Sequence, residues 1–251
     1  MSSYMKEEIP AISFLSAGKR FEQNNTSFDV LSRVTGHIQK GSITALIGPS
    51  GAGKSTLLSL CNLMNTPDEG EVLVFGKEIR RWDIRELRKT AGLAFQSAPV
   101  TEGTVRDNLL LAEKLHGAQH YTPEELADFT DLPRGLLDRN AKELSGGQRQ
   151  KLSLARTLAG LPSILLLDEI TSALDPSSVL TIEKLITKLH RQKQLTVLWI
   201  THNLEQAERL SDTVWFMAEG RLLETAETKT FFKEPKHEKA RALLQGSGSG
   251  C

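Results

Sequence analysis

The stretch Ile43-Thr44-Ala45-Leu46-Ile47-Gly48-Pro49-Ser50-Gly51-Ala52-Gly53-Lys54-Ser55-Thr56 decides how this chain is to be read. A short apolar run closed by a glycine suits a buried strand. The turn from Gly48 to Ser55 fits the spacing G-x-x-x-x-G-K-[ST], and Lys54 to Met64 then reads as a helix. Glycines in such a turn let backbone N–H groups point inward around phosphate oxygens, and the helix N-terminus adds a dipole that favours anions. Lys54 supplies a point charge for β- and γ-phosphates, and the Ser55 hydroxyl is a ligand for Mg2+. The candidate phosphate contacts are therefore Gly48, Pro49, Ser50, Gly51, Ala52, Gly53, Lys54, Ser55 and Thr56. Composition alone would produce this spacing by chance in roughly 1 chain in 100 of this length. A glycine-rich turn that merely opens a helix shares the pattern, but the strand before it and the helix after it favour phosphate.

Further along, Ile164-Leu165-Leu166-Leu167-Asp168-Glu169 is an apolar strand ending in two carboxylates. Asp168 at the strand tip is placed to hold Mg2+ beside Ser55, and Glu169 to polarise a water attacking the γ-phosphate. Paired carboxylates after a strand are common on solvated loops, so this signal gains its weight from the phosphate loop. Each motif supplies what the other lacks.

Around these landmarks the chain alternates. Ile12 to Leu15 and Phe28 to Ile38 read as strands, and Glu71 to Phe75 alternates before the hairpin signal Gly76-Lys77. Residues Val105 to Leu158 are rich in helical pattern and interrupt the alternation. Strand signals return at Leu195 to Thr201 and Val214 to Met217, with Glu219-Gly220 turning into a last strand over Arg221 to Glu224. Strand, phosphate loop, helix, helical insertion and then alternating strands and helices predict an α/β domain with a mainly parallel sheet.

Leu144-Ser145-Gly146-Gly147-Gln148 narrows the class, because kinases, GTPases and helicases also carry the phosphate-loop spacing. Ser145 with Gln148 resembles a capping box opening a helix through Leu158, whose apolar face is Leu152, Ala155, Leu158 and Ala159. Gly146 and Gly147 leave the first turn bare, so a phosphate can approach the backbone N–H groups. The pentapeptide arises by chance in roughly 1 chain in several thousand. LSGGQ is the signature of the ABC ATPases, and from about Ile12 to about Leu244 the chain resembles that family.

The resemblance implies a P-loop NTPase (RecA-like) core at about 10–96 and 160–225, with an antiparallel β edge. An inserted helical subdomain would span about 97–159 and a C-terminal helical tail about 226–245, all in one domain over 1–245. It implies ATP and Mg2+ as ligands, with Ser145, Gly146, Gly147 and Gln148 meeting the γ-phosphate held by a second copy, so that an ATP-dependent homodimer sandwiches two nucleotides. It also matches Gln96 to the Q-loop residue that senses Mg2+ and the membrane partner, Asp175 to the D-loop and His202 to the switch histidine. Phe21 matches the aromatic that stacks on adenine, with Phe28 a weaker candidate. On this reading Glu169, His202 and Lys54 are catalytic, and Ser55, Gln96 and Asp168 hold the metal. Two departures stand out: Asn203 where the family often has Asp, and Ile170 where Pro is common. Neither position has an assigned catalytic side chain.

DEITSALD (168–175), TVLWITHN (196–203), the short N-terminus and the lack of a fused membrane region look like bacterial ATP-binding subunits assigned to iron export and metal resistance. Phosphate-importer ATPases are the nearest rival. A non-transport ABC ATPase of translation or DNA repair is a third reading. It would normally bring a second cassette or a long coiled coil, whereas here one phosphate loop and one signature lie about 90 residues apart with no heptad run. The expected partner is a separate integral membrane permease, docking near Gln96 and Ala98 to Asn108.

Composition agrees with that outline. The 251 residues are 39% hydrophobic and 25% charged, as in an ordinary globular protein. Thirty-one Lys plus Arg balance 31 Asp plus Glu, which argues against nucleic acid as the main partner. No apolar run approaches the ~20 residues that span a bilayer, and MSSYMKEEIP lacks a signal-peptide core. The chain is thus expected in the cytoplasm, peripheral on the cytoplasmic face of the cell (inner) membrane. Of the two cysteines, Cys61 reads as a buried small hydrophobe. Cys251 ends a Gly/Ser stretch, 246–251, that reads as an engineered linker with a labelling thiol.

Overall fold

The computed structural model describes residues 9–23, 26–111, 114 and 120–247. Cys251 and part of the helical insertion lie outside them. Strands β1 (Ile12–Gln23), β2 (Thr26–Ile38), β4 (Glu69–Val74) and β5 (Lys77–Glu78) form an antiparallel sheet in the order β2-β1-β4-β5. Strands β3 (Ile43–Ile47), β6 (Ala91–Ala94), β7 (Ile164–Asp168), β8 (Thr196–Ile200), β9 (Thr213–Ala218) and β10 (Arg221–Glu227) form the second sheet, ordered β10-β9-β3-β8-β7-β6. Its neighbours are parallel except for β10, which pairs antiparallel with β9 at the edge. The α/β class, parallel sheet and antiparallel strands are as the sequence predicts.

The central strands read as unbroken apolar runs because both faces are covered. On β7 and β8, Ile164, Leu166, Leu198 and Ile200 pack toward the antiparallel sheet. Leu165, Leu167, Val197 and Trp199 pack the other way, against α5 (Gly146–Ala159) and α6 (Pro176–Lys193). Helix α1 (Lys54–Leu60) has Leu57, Leu58 and Leu60 fully buried in the layer between the two sheets. Trp215 of β9 locks that layer. Its ring meets Phe14 edge-on at 5.7 Å, and a Cβ on Gly36 would lie 2.8 Å from it. The far face of β3 and β9 is covered by α7 (Leu204–Leu210), α8 (Thr228–Lys233) and α9 (Glu238–Ser247) through Ala207, Phe231 and Ala240. Helices α3 (Val105–Leu109), α4 (Pro123–Phe129) and α5 bury a cluster of their own around Val105, Leu126, Leu132 and Leu152.

Several boundaries differ from the expectation. Helix α1 stops at Leu60 rather than Met64. Leu63 takes a left-handed φ of 55°, and the Arg88 side chain donates to the carbonyls of Asn62 and Leu63, so a tertiary contact holds the chain in a turn. Two elements carry no sequence prediction. One is α2 (Ile84–Thr90), opened by Asp83, whose side chain accepts from Arg85 N and Glu86 N. The other is edge strand β6. Helix α9 runs to Ser247, two residues into the stretch set aside as a linker.

Candidate active site

Strands β3, β6, β7 and β8 end on one edge of the parallel sheet, and Lys54, Ser55, Gln96, Asp168, Glu169 and His202 follow or close those ends. At the tip of β3, Gly48 has φ +148° and passes so close to β9 that a Cβ would meet the Met217 carbonyl at 1.9 Å. Gly53 has φ +90° and its Cβ would lie 2.7 Å from both the Val30 carbonyl and Leu31. Only glycine fits these two positions. By contrast a Cβ on Gly51 would meet nothing within 4 Å, so the loop's outer side is open. No side chain caps α1, so its first amides face the space enclosed by the loop.

Lys54 folds back over the loop, its Nζ donating to the carbonyls of Gly48 (2.8 Å) and Pro49 (2.9 Å). Burial lowers its pKa, and the nearby carboxylates of Glu169 and Asp168 act against that shift. Ser55, the first-turn residue beside it, donates its hydroxyl to Asp168 Oδ1 at 3.0 Å. Burial pushes the Asp168 carboxyl above the ordinary carboxylate range, opposed by the Ser55 hydrogen bond and reinforced by Glu169. The donor set suits a hard divalent cation: a hydroxyl at the start of α1 and a carboxylate at the tip of β7, in contact with each other.

Glu169 follows directly, with φ +50°, an uncommon conformation for a residue with a side chain. Three bonds hold the turn: Glu169 N donates to Ile200 O at 3.2 Å, and Ser172 donates both its amide and its hydroxyl to the Glu169 carbonyl. The result aims the carboxylate across the strand tips. His202 Nε2 lies 2.6 Å from Oε1, and Gln96 Nε2 donates to Oε2 at 2.8 Å. These partners come from the ends of β8 and β6, the two neighbours of β7. The histidine ring nitrogen that faces the carboxylate carries the proton, because an ionised carboxylate only accepts.

The remaining candidates lie apart. Phe21 and Phe28 face each other across β1 and β2 at 6.5 Å, with Lys19 Nζ 5.4 Å from the Phe21 ring. Phe28 sits on the part of β2 that leads to Val30, the residue packed on Gly53, and Phe21 pairs with it from β1. Ser145 caps α5: its hydroxyl accepts from Gln148 N, and Gln148 Oε1 accepts from Ser145 N at 3.0 Å. These bonds close the corner on itself. Gly146 has open space around it, whereas a Cβ on Gly147 would meet Leu174 at 3.3 Å. Asp175 caps α6, its carboxylate accepting from the amides and hydroxyls of Ser177 and Ser178. Those bonds hold its pKa well below the usual range. Asn203 caps α7 and Ile170 is buried in the core, so both departures from the family pattern have structural work.

Among the described residues no helix is long and apolar enough to cross a membrane. Sequence reasoning missed Gln206 and Glu183, which sit behind Thr201 and Thr171 in a buried hydrogen-bonded group. Nothing in the local pattern marks them.

Known proteins give the same picture. A profile of the ABC transporter family matches residues 31–172. YjkB of Bacillus subtilis (strain 168), assigned by name to the ABC transporter ATP-binding proteins, is 63% identical over 240 residues, 96% of each chain. The phosphate import ATP-binding protein PstB of Campylobacter jejuni is 42% identical over 222 residues, covering 84% of this chain and 89% of that one. Among solved structures, the bacterial ABC transporter cassette MJ0796, a dimer, superposes with a TM-score of 0.79 at 26% identity over 86% of this chain and 98% of its own. The Clostridium perfringens cbiO1 gives 0.74 at 26% identity over 96% and 98%. A signature helix and a phosphate loop on a sheet of this order, matched along most of the chain by such relatives, place the protein in the ABC transporter family as an ATP-hydrolysing ATP-binding subunit.

Proposed function

We propose that the loop from Gly48 to Thr56 holds the phosphates of ATP and that Glu169 is the base for their hydrolysis. The observation that carries this reading is the position of Glu169, next to the Ser55–Asp168 pair and held on both oxygens by Gln96 and His202. In this reading Lys54 leaves the Gly48 and Pro49 carbonyls for the phosphates, whose charge offsets the desolvation of its ammonium group. Ser55 and Asp168, with the Gln96 amide oxygen, would hold Mg2+, which would supply positive charge to offset that of the phosphates. Glu169 accepts the proton of the attacking water, and His202 keeps the carboxylate turned toward the γ-phosphate. Phe21 stacks on the base, with Phe28 behind it.

The second half of the site is the Ser145–Gln148 corner of another copy. Its bare first turn offers N–H groups to the γ-phosphate, which makes the active species a homodimer with Asp175 and its loop between the two sites. The dimeric solved relative supports this arrangement. The test is Glu169→Gln, which keeps shape and hydrogen bonding but cannot take a proton. Turnover should fall by about 10²–10⁴. ATP, and not ADP, should then accumulate a dimer in size-exclusion chromatography with light scattering. Normal turnover would overturn the role of Glu169. A dead but monomeric mutant would overturn the sandwich.

The work of hydrolysis goes to a separate membrane permease. We place its docking segment in a groove of about 280 Å³ between the core and the helical insertion, lined by Met64, Arg88, Phe95, Pro99 and Arg156 among others. That contact holds the chain at the cytoplasmic membrane face. The complex named for cbiO1, cbiONQ, supports a multi-subunit assembly. For the solute we carry metal export, from the resemblance in residues 168–175 and 196–203. The relatives named for phosphate import support the opposite direction. Cells lacking the protein should accumulate iron. Reduced phosphate uptake with unchanged iron would replace export by import.

A further inference from the structure

Gln206 lies in α7, away from every motif, and is 1% exposed. Its side-chain oxygen accepts from the hydroxyls of Thr201 (2.8 Å) and Thr171 (3.3 Å). Its nitrogen donates to Glu183 Oε1 on α6 at 3.0 Å. Glu183 is 4% exposed and takes two further bonds from the guanidinium of Arg209, at 2.7 and 3.2 Å. The carboxylate, which can only accept, fixes which way the amide points, and the amide in turn makes both threonine hydroxyls donors. Thr201 also accepts from Asn203 N, and Asn203 caps the helix that carries Gln206.

Thr201 immediately precedes His202, and Thr171 lies two residues past Glu169. Besides the contact between His202 and Glu169 themselves, the backbone bond Glu169 N to Ile200 O and this amide tie the two loops together. We propose that Gln206 is a positioning residue that sets Glu169 against His202 by gripping both strand-tip loops from behind. The inference rests on the reading of Glu169 as the base. An apolar residue of the same size would fill the space but leave two hydroxyls without an acceptor and release the loops from each other. The grip matters because Glu169 holds an uncommon backbone conformation, and such conformations persist only where the surroundings over-determine them.

Two variants test the proposal on the full chain with Mg2+ and ATP, beside Glu169→Gln as a control. Gln206→Leu should lower kcat by roughly 10–100-fold, as loss of a supporting hydrogen bond does at other sites. Its Kd for ATP should stay within about threefold of wild type, because no phosphate contact is touched. Gln206→Glu keeps the shape but sets a carboxylate against Glu183. The charged groups facing it are Glu183 from α6 and Arg209 from its own helix, with Glu169 and His202 beyond the threonines. Protonated, the new carboxyl can donate to Glu183 and accept from both hydroxyls, as the amide does. Two like charges at this distance share a proton. Its kcat relative to wild type should therefore rise as pH falls from about 8 to about 6. The ratio to wild type is read at each pH, and the Gln206→Leu ratio should stay flat. A Gln206→Leu protein with wild-type kcat beside a dead Glu169→Gln overturns the positioning role alone. Wild-type kcat in both overturns the reading of Glu169 as well. If Gln206→Leu does not fold, the pH profile of Gln206→Glu decides: a flat ratio overturns the proposal and a rising one supports it.

Discussion

The phosphate loop and the signature corner are both glycine-rich turns that open a helix, yet they are built in opposite ways. The loop at Gly48–Ser55 is wedged into its own chain: Gly48 lies against Met217, Gly53 against Val30 and Leu31, and Ser55 is bonded to Asp168. The corner at Ser145–Gln148 closes through its own capping box; a Cβ on Gly146 would meet nothing within 4 Å, and one on Gly147 would meet only Leu174 and Ala173, at 3.3 and 3.5 Å. A glycine in the first place satisfies the fold of this chain. At Gly146 the fold makes no such demand, so the bareness serves whatever approaches from outside. On the proposed reading, the difference means that one half-site is complete in the monomer and the other waits for a second copy.

Substitutions can break that contrast, beginning with the largest effect. Lys54→Ala should lower turnover by on the order of 10³ or more, because no other cation is placed by the loop. It should weaken ATP binding to a single copy too, as read by equilibrium titration and steady-state hydrolysis. Ser145→Arg should cost about 10² or more in turnover. ATP binding by the monomer should stay within about threefold, under ~1 kcal/mol. Lost binding would mean that the corner belongs to its own chain's site and would erase the comparison.

Stability sharpens it. Gly53→Ala meets strain of ~1–2 kcal/mol from the left-handed backbone alone. That corresponds to a melting temperature lower by roughly 2–8 °C in a chain of this size. Gly146→Ala should leave the melting temperature within about 2 °C, since its new methyl meets open space. Equal losses in the two would show that the corner is packed after all. The smallest effect concerns Asp168. Its folded pKa is raised, chiefly by burial, so the protonated form is the one favoured by folding. That contribution is full below the ordinary carboxylate pKa and is lost as pH rises through the raised value. At neutral pH the buried charge is a cost. Asp168→Asn should therefore melt slightly higher than wild type without nucleotide at pH 7, and the advantage should vanish at acid pH. The same variant should gain less from added Mg2+ and ATP, which differential scanning fluorimetry would read directly.

Helix α5 was legible because its start is written within four residues. Ser145 and Gln148 make both capping-box bonds, and the apolar face follows at helical spacing. The central strands were legible because burial on both faces leaves continuous apolar runs. Strand β6 was not: Ala91-Gly92-Leu93-Ala94 has weak strand propensity and is extended because β7 pairs with it. Helix α2 did leave a local signal, Asp83 followed three residues on by Glu86. The Gln206 group left none, since its members are separated by up to 38 residues, from Thr171 to Arg209, and meet only in space.

By itself, then, the sequence determined the features whose physics is local: positive φ at glycines, a cap four residues long, a strand with two buried faces. These demands act over a turn or two and cannot be met by other residues without cost. Only the tertiary structure decided that Gln96, Glu169 and His202 meet, because that meeting follows from β6, β7 and β8 lying side by side, and strand order is set by long-range pairing. Where the signature corner stands depends on how the insertion packs, and α5 is held by the cluster around Val105, Leu126 and Leu152, to which the signature itself contributes only Leu144.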